Sequence, residues 1–289
     1  MKRKPSYIEH EIFRMPMGFP VKAFNSGLDY CAKPEDIFVC SYPKCGTTWL
    51  QNMVYLILND GVPLSQNQFL PRVFPHLEEV GKEVCNQLPT PRLIKTHLPF
   101  SITPHNSKAR YLYVARNPFD CAVSFFHHTR GFPQHYDFLD GEFEEFFECF
   151  IAGEVDFGDY FDNLIPWYKR KDDENVLFIT YESMKADSYR SIMAIADFLE
   201  VESFKNKKII DRIIKYSSFE AMQKNQTRWA SLRSDTVEPF IRKGVVGDWV
   251  NYFTPKQTRR LLEKFFYKTK GTGIDNIWLD VLESANKNN

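Results

Sequence analysis

The chain has 289 residues, and its 37 lysines and arginines are balanced by 37 aspartates and glutamates, so the formal net charge is zero. This balance excludes a broad basic surface for nucleic acid or anionic membranes and leaves only local clusters of positive charge. Hydrophobic residues make up 43% of the sequence, and its 26 phenylalanines and 14 tyrosines suit a large core or an aromatic cavity, not a disordered chain.

The sequence shows neither a secretory signal nor a membrane span. Its first residues are basic and polar, and no apolar run approaches the ~18 residues that a membrane helix needs. The six cysteines form no C-x-x-C pair and lack the spacing of a disulfide scaffold. The sequence therefore predicts a cytoplasmic protein that binds neither membranes nor nucleic acid and has no metal site.

Strands and helices are predicted to alternate along the chain. A buried strand at 37–42 leads into a helix that begins near Thr48, capped by Thr47 or Thr48 and stopped by Gly61. Further strands are predicted at 92–95, 111–115 and 176–181, and further helices at 119–128, 142–152, 160–170, 189–199, 207–215 and 255–267. The alternation predicts an α/β fold, a single domain over 1–289 whose central parallel sheet is flanked by helices.

Three loops are expected to meet at one rim of this sheet. The loops at 42–48, 95–99 and 115–118 each follow a predicted strand. Ligands of parallel sheets bind at the carboxyl ends of the strands. The residues of these loops are therefore the candidates for a binding site.

The first of these loops, Tyr42 to Trp49, has the composition of a P-loop-like phosphate site. Between a strand and a helix it holds Lys44, Gly46 and two threonines, so backbone N–H groups and a helix N-terminus can face an anion. The G-x-x-x-x-G-K-[ST] pattern of P-loop kinases is absent, because the lysine precedes the glycine and no hydroxyl follows it to hold Mg²⁺. The motif indicates a bound anion without an obvious metal site.

A cation and an imidazole follow the second predicted strand. Lys95 and His97 stand two residues apart at the strand end, so their side chains are expected on the same side. A histidine with its ordinary pKa of about 6.5 is a competent general base at neutral pH. We predict that His97 takes the proton of an acceptor hydroxyl.

Two more clusters carry groups that can bind phosphate. Arg116 ends the third strand and can bind a phosphate through two hydrogen bonds, and Ser124, about two turns into the next helix, can reach the same group. Arg242 and Lys243 stand before Gly244 and can close over a phosphate as part of a mobile segment.

These four stretches, in this order, closely resemble the signatures of the cytosolic sulfotransferase family. The family signatures run YPKSGTTW, KTHLP, YVARNxxD followed by a serine, and FxRKGxxGDW, and the likeness extends from about Gly18 to Gly271. The resemblance implies transfer of a sulfonate group from PAPS to the hydroxyl of a small molecule, with release of PAP.

The resemblance also implies roles for individual residues. Lys44 would contact the leaving-group oxygen, Lys95 would stabilise the sulfonyl group and His97 would be the base. The residues that would wrap the phosphosulfate end of PAPS are Lys44, Cys45, Gly46, Thr47, Thr48 and Trp49. The 3′-phosphate would be bound by Arg116, Ser124, Arg242, Lys243 and Gly244, and the adenine and ribose would be framed by Trp49, Tyr181, Ser217 and Phe219.

The chain departs from the family signatures at two places. Cys45 stands where the family usually has serine, so a hydroxyl that could restrain Lys44 is replaced by a thiol, a weaker hydrogen-bonding group. We therefore expect an active enzyme with altered control of Lys44. The dimer motif KxxxTVxxxE corresponds to Val250 to Arg259, where Thr254 is kept but the lysine, valine and glutamate are replaced. A monomer or a different subunit contact is expected.

The acceptor is predicted to be a small, mainly apolar molecule, with a phenol or monoamine favoured over a steroid or an alcohol. By family position, its pocket would contain Phe19, Phe74, His97, Phe132 and Phe138. An acidic residue such as Asp137 or Asp140 could pair with an amine on the acceptor. Two other functions stay open: a non-catalytic protein that binds PAP or small phenols, and a P-loop-type kinase.

Overall fold

A computed structural model describes residues 3–11, 13–201, 206–229 and 237–287. Its central sheet has four strands: β1 (Asp36–Cys40), β2 (Arg92–Thr96), β3 (Arg110–Ala115) and β4 (Val176–Thr180). All four run parallel, in the order β2-β1-β3-β4. The prediction of an α/β fold with a parallel sheet is confirmed.

Fourteen helices lie among the described ranges. They are α1 (Val21–Leu28), α2 (Thr47–Leu58), α3 (Leu70–Val73), α4 (Leu77–Asn86), α5 (Pro118–Gly131), α6 (Pro133–Tyr136), α7 (Phe143–Ala152), α8 (Tyr160–Tyr168), α9 (Tyr181–Ala186), α10 (Ser188–Phe198), α11 (Lys207–Ser217), α12 (Phe219–Gln223), α13 (Pro255–Thr269) and α14 (Leu279–Lys287). Every predicted strand and helix is present, with its ends within three residues of the prediction. The sequence did not predict α1, α4, α14 and the four shortest helices.

Alternating side chains on the strands explain why helices cover both faces of the sheet. Phe38 pairs with Tyr111 across β1 and β3, and their stacked rings lie 5.0 Å apart. They belong to a hydrophobic cluster with α5, α7, α8 and α13, whereas Val39 and Leu112 on the other face pack with α2, α10 and α11. Because neither face of the central strands meets water, β1 and β3 are apolar from their second residue onward instead of alternating with polar residues.

The start of α2 differs from the prediction that Thr47 or Thr48 caps it. The helix begins at Thr47, and its N-cap is Gly46, which has a left-handed backbone (φ 103°) and makes no side-chain cap bond. The Thr47 hydroxyl lies 2.6 Å from the Ser41 hydroxyl instead. A glycine cap without a side chain leaves the first turn of α2 open toward the loop that precedes it.

Candidate functional site

The carboxyl ends of β1, β2 and β3 open into one continuous cavity of about 290 Å³. Its wall includes Lys44 from the loop after β1, Lys95 and His97 from the end of β2, and Arg116 from the end of β3. The prediction that the three loops share one rim is therefore confirmed. This is the expected place for a ligand in a parallel α/β sheet.

Most of the other predicted site residues also lie on this wall. They are Phe19, Gly46, Thr47, Thr48, Trp49, Phe74, Ser124, Phe132, Tyr181, Ser217, Phe219, Arg242, Lys243 and Gly244. The structure thus brings together four sequence motifs that are up to about two hundred residues apart. The roles assigned to these residues stay predictions.

Two predicted site residues do not reach the cavity wall. Phe138 is 0% exposed and belongs to the core, with its ring so close to Gly141 that an added Cβ there would lie 2.2 Å away. The prediction that Phe138 lines the pocket is wrong, because its ring packs inward on this glycine. Cys45 is 1% exposed, and its Sγ lies 3.7 Å from Sγ of Cys121 in α5. Its thiol therefore faces the core and not the cavity.

The loop before α2 has two left-handed residues. Lys44 has φ 69° and Gly46 has φ 103°. A Cβ on Gly46 would lie 2.8 Å from the ring of Tyr181, so only glycine fits here. The Lys44 ammonium lies 3.4 Å from Nδ1 of His128 and 4.3 Å from the ring centre of Phe240. These contacts hold the Lys44 ammonium at the cavity wall.

The hydrogen bonds of His97 determine which ring nitrogen carries the proton. Its Nδ1 lies 2.8 Å from the carbonyl oxygen of Ser41, which can only accept, so Nδ1–H donates and Nε2 is unprotonated. His97 is 6% exposed, and burial, together with the charge of Lys95 and the nearby His76, lowers the pKa of His97 well below its ordinary value. At neutral pH the imidazole is therefore neutral, as a general base must be.

A buried carboxylate fixes the backbone beneath His97. Oε1 of Glu78 accepts hydrogen bonds from the His97 backbone N–H at 2.6 Å and from the Thr96 hydroxyl at 3.0 Å. The His76 ring meets the His97 ring edge-on at 4.9 Å. Neither His76 nor Glu78 was predicted from the sequence, although an imidazole and an acid on either side of the apolar Leu77 indicate polar side chains in a buried environment.

At the opposite end of the cavity, two cations share one carboxylate. Arg242 donates to Asp248 at 2.7 Å and Lys243 donates to its other oxygen at 2.8 Å. Burial opposes ionisation of Asp248, but the hydrogen bonds from Lys243, Arg242 and Asn251 outweigh it and hold the pKa of Asp248 at about 2. Asp248 therefore orients both cations, a role that the sequence analysis did not assign although the GDW signature contains this residue.

Flat rings lie next to these cations. The Arg116 guanidinium lies 4.3 Å from the ring centre of Tyr181. Gly244 has φ 62°, and an added Cβ would lie 2.4 Å from the ring of Phe219. The Trp49 indole is fixed by a 2.8 Å hydrogen bond to the carbonyl oxygen of Ser217. This end of the cavity therefore combines positive charge with aromatic faces, as a phosphorylated purine nucleoside requires.

The end of the cavity beyond His97 is mainly apolar. Phe157 has a left-handed backbone (φ 63°), and its ring lies 5.2 Å from the His97 ring and 6.3 Å from the Phe19 ring. Asp156 is also on this wall, and the sequence analysis missed it. The two acids that it named, Asp137 and Asp140, are exposed and lie off the wall, so the expectation that one of them pairs with an acceptor amine is wrong.

Two further properties concern the described ranges 3–11, 13–201, 206–229 and 237–287. Within them, no three or more histidine, cysteine, aspartate or glutamate side chains come together in a way that could hold a metal ion. None of the helices there is both long enough and apolar enough to cross a bilayer.

Comparisons with known proteins agree with this geometry. The sulfotransferase domain family matches residues 34–273. Sulfotransferase 1C2 of Rattus norvegicus is 34% identical over 92% of this chain and 94% of its own length, and sulfotransferase 1B1 of Mus musculus is 35% identical over 86% and 87%.

Two solved structures share the fold. Mouse sulfotransferase SULT7A1, complexed with PAP, superposes with a TM-score of 0.77 at 32% identity and covers 97% of this chain and 98% of its own. Retinol dehydratase, in complex with androsterone and the inactive cofactor PAP, has a TM-score of 0.76 at 25% identity over 92% and 90%. The fold, the four motifs and these matches together show that the chain belongs to the sulfotransferase family.

Proposed function

We propose that this protein transfers the sulfonate group of PAPS to the hydroxyl of a small, mainly apolar acceptor and releases PAP. A phenol or a monoamine is favoured over a steroid or an aliphatic alcohol. The observation that carries the proposal is the neutral His97, whose Nδ1–H bonds to the Ser41 carbonyl while the residue lies on the same cavity wall as the cationic residues.

The cationic end of the cavity fits the donor nucleotide. Arg116, Arg242 and Lys243 supply three positive charges, which suit the 3′-phosphate that distinguishes PAPS from ATP. Trp49 and Phe219 on the same wall offer flat faces for an adenine. Two relatives in the solved structures are described as complexed with PAP, which supports the same ligand here.

The chemistry of the transfer is divided between the donor and the protein. Bound PAPS supplies an electrophilic sulfonyl group and a diphosphorylated leaving group. Nε2 of His97 accepts the proton of the acceptor hydroxyl and holds it on the imidazole. The ammonium groups of Lys44 and Lys95 provide fixed positive charge where negative charge develops, and they need no reorganisation to do so.

The apolar end of the cavity favours a flat, aromatic acceptor. Phe19, Phe74 and Phe132 supply the wall, and the base His97 borders the same space. A sugar would leave many hydroxyls without partners against such a surface, at a free-energy cost for each. A phenolic ring would bury its apolar face and present a single hydroxyl to His97.

A labelled-donor assay tests the proposal against its alternatives. The purified chain is incubated with radiolabelled PAPS and a panel of phenols, monoamines, steroids and aliphatic alcohols, and separately with ATP labelled in its terminal phosphate. We expect labelled sulfonate on phenols and monoamines, with higher kcat/KM than for steroids. Phosphoryl transfer from ATP would indicate a kinase, and PAP binding with no transfer to any acceptor would indicate a binding protein.

A further inference from the structure

Asp156 places a buried carboxylate on the wall of the acceptor end of the cavity. The residue is 2% exposed, and it precedes Phe157, whose ring packs against His97. Its Oδ2 accepts a 2.9 Å hydrogen bond from the hydroxyl of Tyr136, another residue of the wall. Its Oδ1 is buried and has no hydrogen-bond partner within the described part of the chain.

A buried carboxylate needs a positive charge or further hydrogen-bond donors beside it. Among the described residues no basic side chain forms an ion pair with Asp156 within 4.0 Å. Burying an ionised carboxylate without a cation is costly, so sites of this kind pair with a positive charge or become protonated. The carboxylate is thus half satisfied, and its residue belongs to the cavity wall.

We propose that Asp156 is the binding site for a protonated amine on the acceptor, so that the preferred acceptors are phenols that carry an ammonium group. The inference rests on the proposed function, because it concerns the acceptor of that reaction. A phenolic amine would present its hydroxyl to His97 and its ammonium to Asp156, and its ring would pack against Phe132 and Phe157 on the wall. No other described carboxylate on this wall combines this burial with an oxygen that lacks a partner, since Glu79 is exposed.

The protonation state of Asp156 gives a second measurable property of amine binding. Burial raises the pKa of Asp156 to about 7, against the hydrogen bond from Tyr136 and the charge of Lys44. Among the described residues, the phenols of Tyr7 and Tyr42 also lie in electrostatic reach of the carboxylate, and they stay protonated because burial raises their pKa. A bound ammonium favours the ionised carboxylate, so amine binding near pH 7 releases a proton and becomes tighter as pH rises.

The test compares two ligands that differ in one group. Tyramine carries an ammonium at the end of its side chain, and 4-propylphenol has a methyl group in its place. Their dissociation constants are measured by calorimetry on the PAP-loaded enzyme, in buffers of different ionisation enthalpy, for the wild type, Asp156→Asn and Asp137→Asn. The Asp137→Asn control removes the same charge from an exposed acid, and asparagine tolerates its left-handed backbone (φ 45°).

We expect Asp156→Asn to weaken tyramine binding by about tenfold or more and to abolish the proton release, while 4-propylphenol binding changes less than about threefold. Asp137→Asn should leave both ligands unaffected. Equal effects of Asp156→Asn on the two ligands, or none on tyramine, would overturn the inference. If Asp156→Asn did not bind PAP, the Tyr136→Phe variant would be measured in its place. It keeps the carboxylate, so it should still bind tyramine more tightly than 4-propylphenol. Loss of that preference would also overturn the inference.

The same proteins distinguish this inference from the proposed function. Binding to the PAP-loaded enzyme reports on Asp156 alone, whereas transfer of labelled sulfonate from PAPS to tyramine and 4-propylphenol reports on the reaction. Transfer to both phenols without a difference in binding would leave the sulfotransferase function standing and remove the amine site. Tighter binding of tyramine without transfer to either phenol would leave the amine site standing and remove the sulfotransferase function.

Discussion

Nδ1 of His97 lies 2.8 Å from the carbonyl oxygen of Ser41, the residue that directly follows β1. The hydroxyl of the same serine lies 2.6 Å from the Thr47 hydroxyl at the start of α2. Ser41 therefore connects the candidate base His97 to the first turn of α2. Because the bond to His97 comes from the backbone, it fixes the tautomer of the base without depending on the serine side chain.

The lowered pKa of His97 predicts the pH dependence of the reaction with an uncharged phenol. A base whose pKa lies well below 6.5 is already unprotonated at pH 6.5, so kcat/KM should stay flat from about pH 8 down to about pH 6.5 and fall only at lower pH. A kcat/KM profile for 4-propylphenol measures this. A loss of about twofold between pH 7.5 and 6.5, steepening toward tenfold per pH unit below that, would show that the base has an ordinary histidine pKa of about 6.5 and would contradict the buried, neutral imidazole.

Replacing Arg242 should weaken binding of PAP far more than binding of AMP, which is PAP without its 3′-phosphate. A lost charge-assisted hydrogen bond costs about 1.5–3 kcal/mol, which corresponds to roughly a tenfold to hundredfold loss of affinity. Calorimetric titration of Arg242→Ala with both nucleotides measures the difference. The exposed Lys256, changed to alanine, is the control for general loss of positive charge. An unchanged PAP affinity in Arg242→Ala would count against the predicted 3′-phosphate site.

Replacing Cys45 by serine tests the expectation that the thiol alters the control of Lys44. The structure places the thiol against Cys121 and away from the cavity, so any effect on Lys44 passes through the backbone of the loop. A serine hydroxyl in this buried place is poorly paired, and we expect a change of a few-fold in donor affinity, in basal hydrolysis of PAPS or in turnover. Cys121→Ser, which changes the same contact from α5, is the matched variant. If all three quantities were unchanged in Cys45→Ser, the hypothesis would be wrong.

Asp156→Asn should change the pH dependence of stability. The pKa of Asp156 is about 7 in the folded protein, whereas its ordinary value is 3.8. Between pH 3.8 and about pH 7 the folded protein therefore binds more protons than the unfolded chain, and it loses stability as pH rises through this range. The upper bound of this loss is of the order of 4 kcal/mol. Relative to the wild type, the asparagine variant should therefore gain stability from pH 5 to pH 8.

Urea unfolding of both proteins at several pH values measures this difference. The histidines that burial keeps neutral contribute equally to the two proteins, so they cancel in the comparison. A difference between the proteins that stays constant with pH would mean that Asp156 titrates normally in the folded state. That outcome would also remove the proton release expected on amine binding.

The sheet and the rim of the cavity could be predicted because they depend on local patterns. Continuous apolar runs mark β1 and β3. His97 and Arg116 directly follow β2 and β3, and Lys44 lies in the loop after β1. In a parallel sheet these ends lie side by side whatever the rest of the chain does. Knowledge of three strand ends was therefore enough to place three site residues on one wall.

The acceptor end could not be predicted in the same way, because it is built by packing between distant segments. Whether a phenylalanine lines a cavity or fills the core depends on its neighbours, and Phe138 turned inward onto Gly141. Asp156 reaches the wall through the left-handed residues Phe157 and Gly158 that follow it. An acid flanked directly by the apolar Val155 and Phe157 was the signal that the sequence offered, since burial of such a charge is costly without a partner.

A single-turnover measurement of sulfonate transfer from PAPS to 4-propylphenol, with PAP binding measured in parallel, tests directly whether His97 is the base. We expect His97→Gln to slow transfer by ~10²-fold or more while PAP binds as in the wild type. Ser41→Ala, which keeps the carbonyl bond to His97, should slow transfer by less than about tenfold. Transfer at the wild-type rate in His97→Gln, with PAP still bound, would contradict the assignment of His97 as the base.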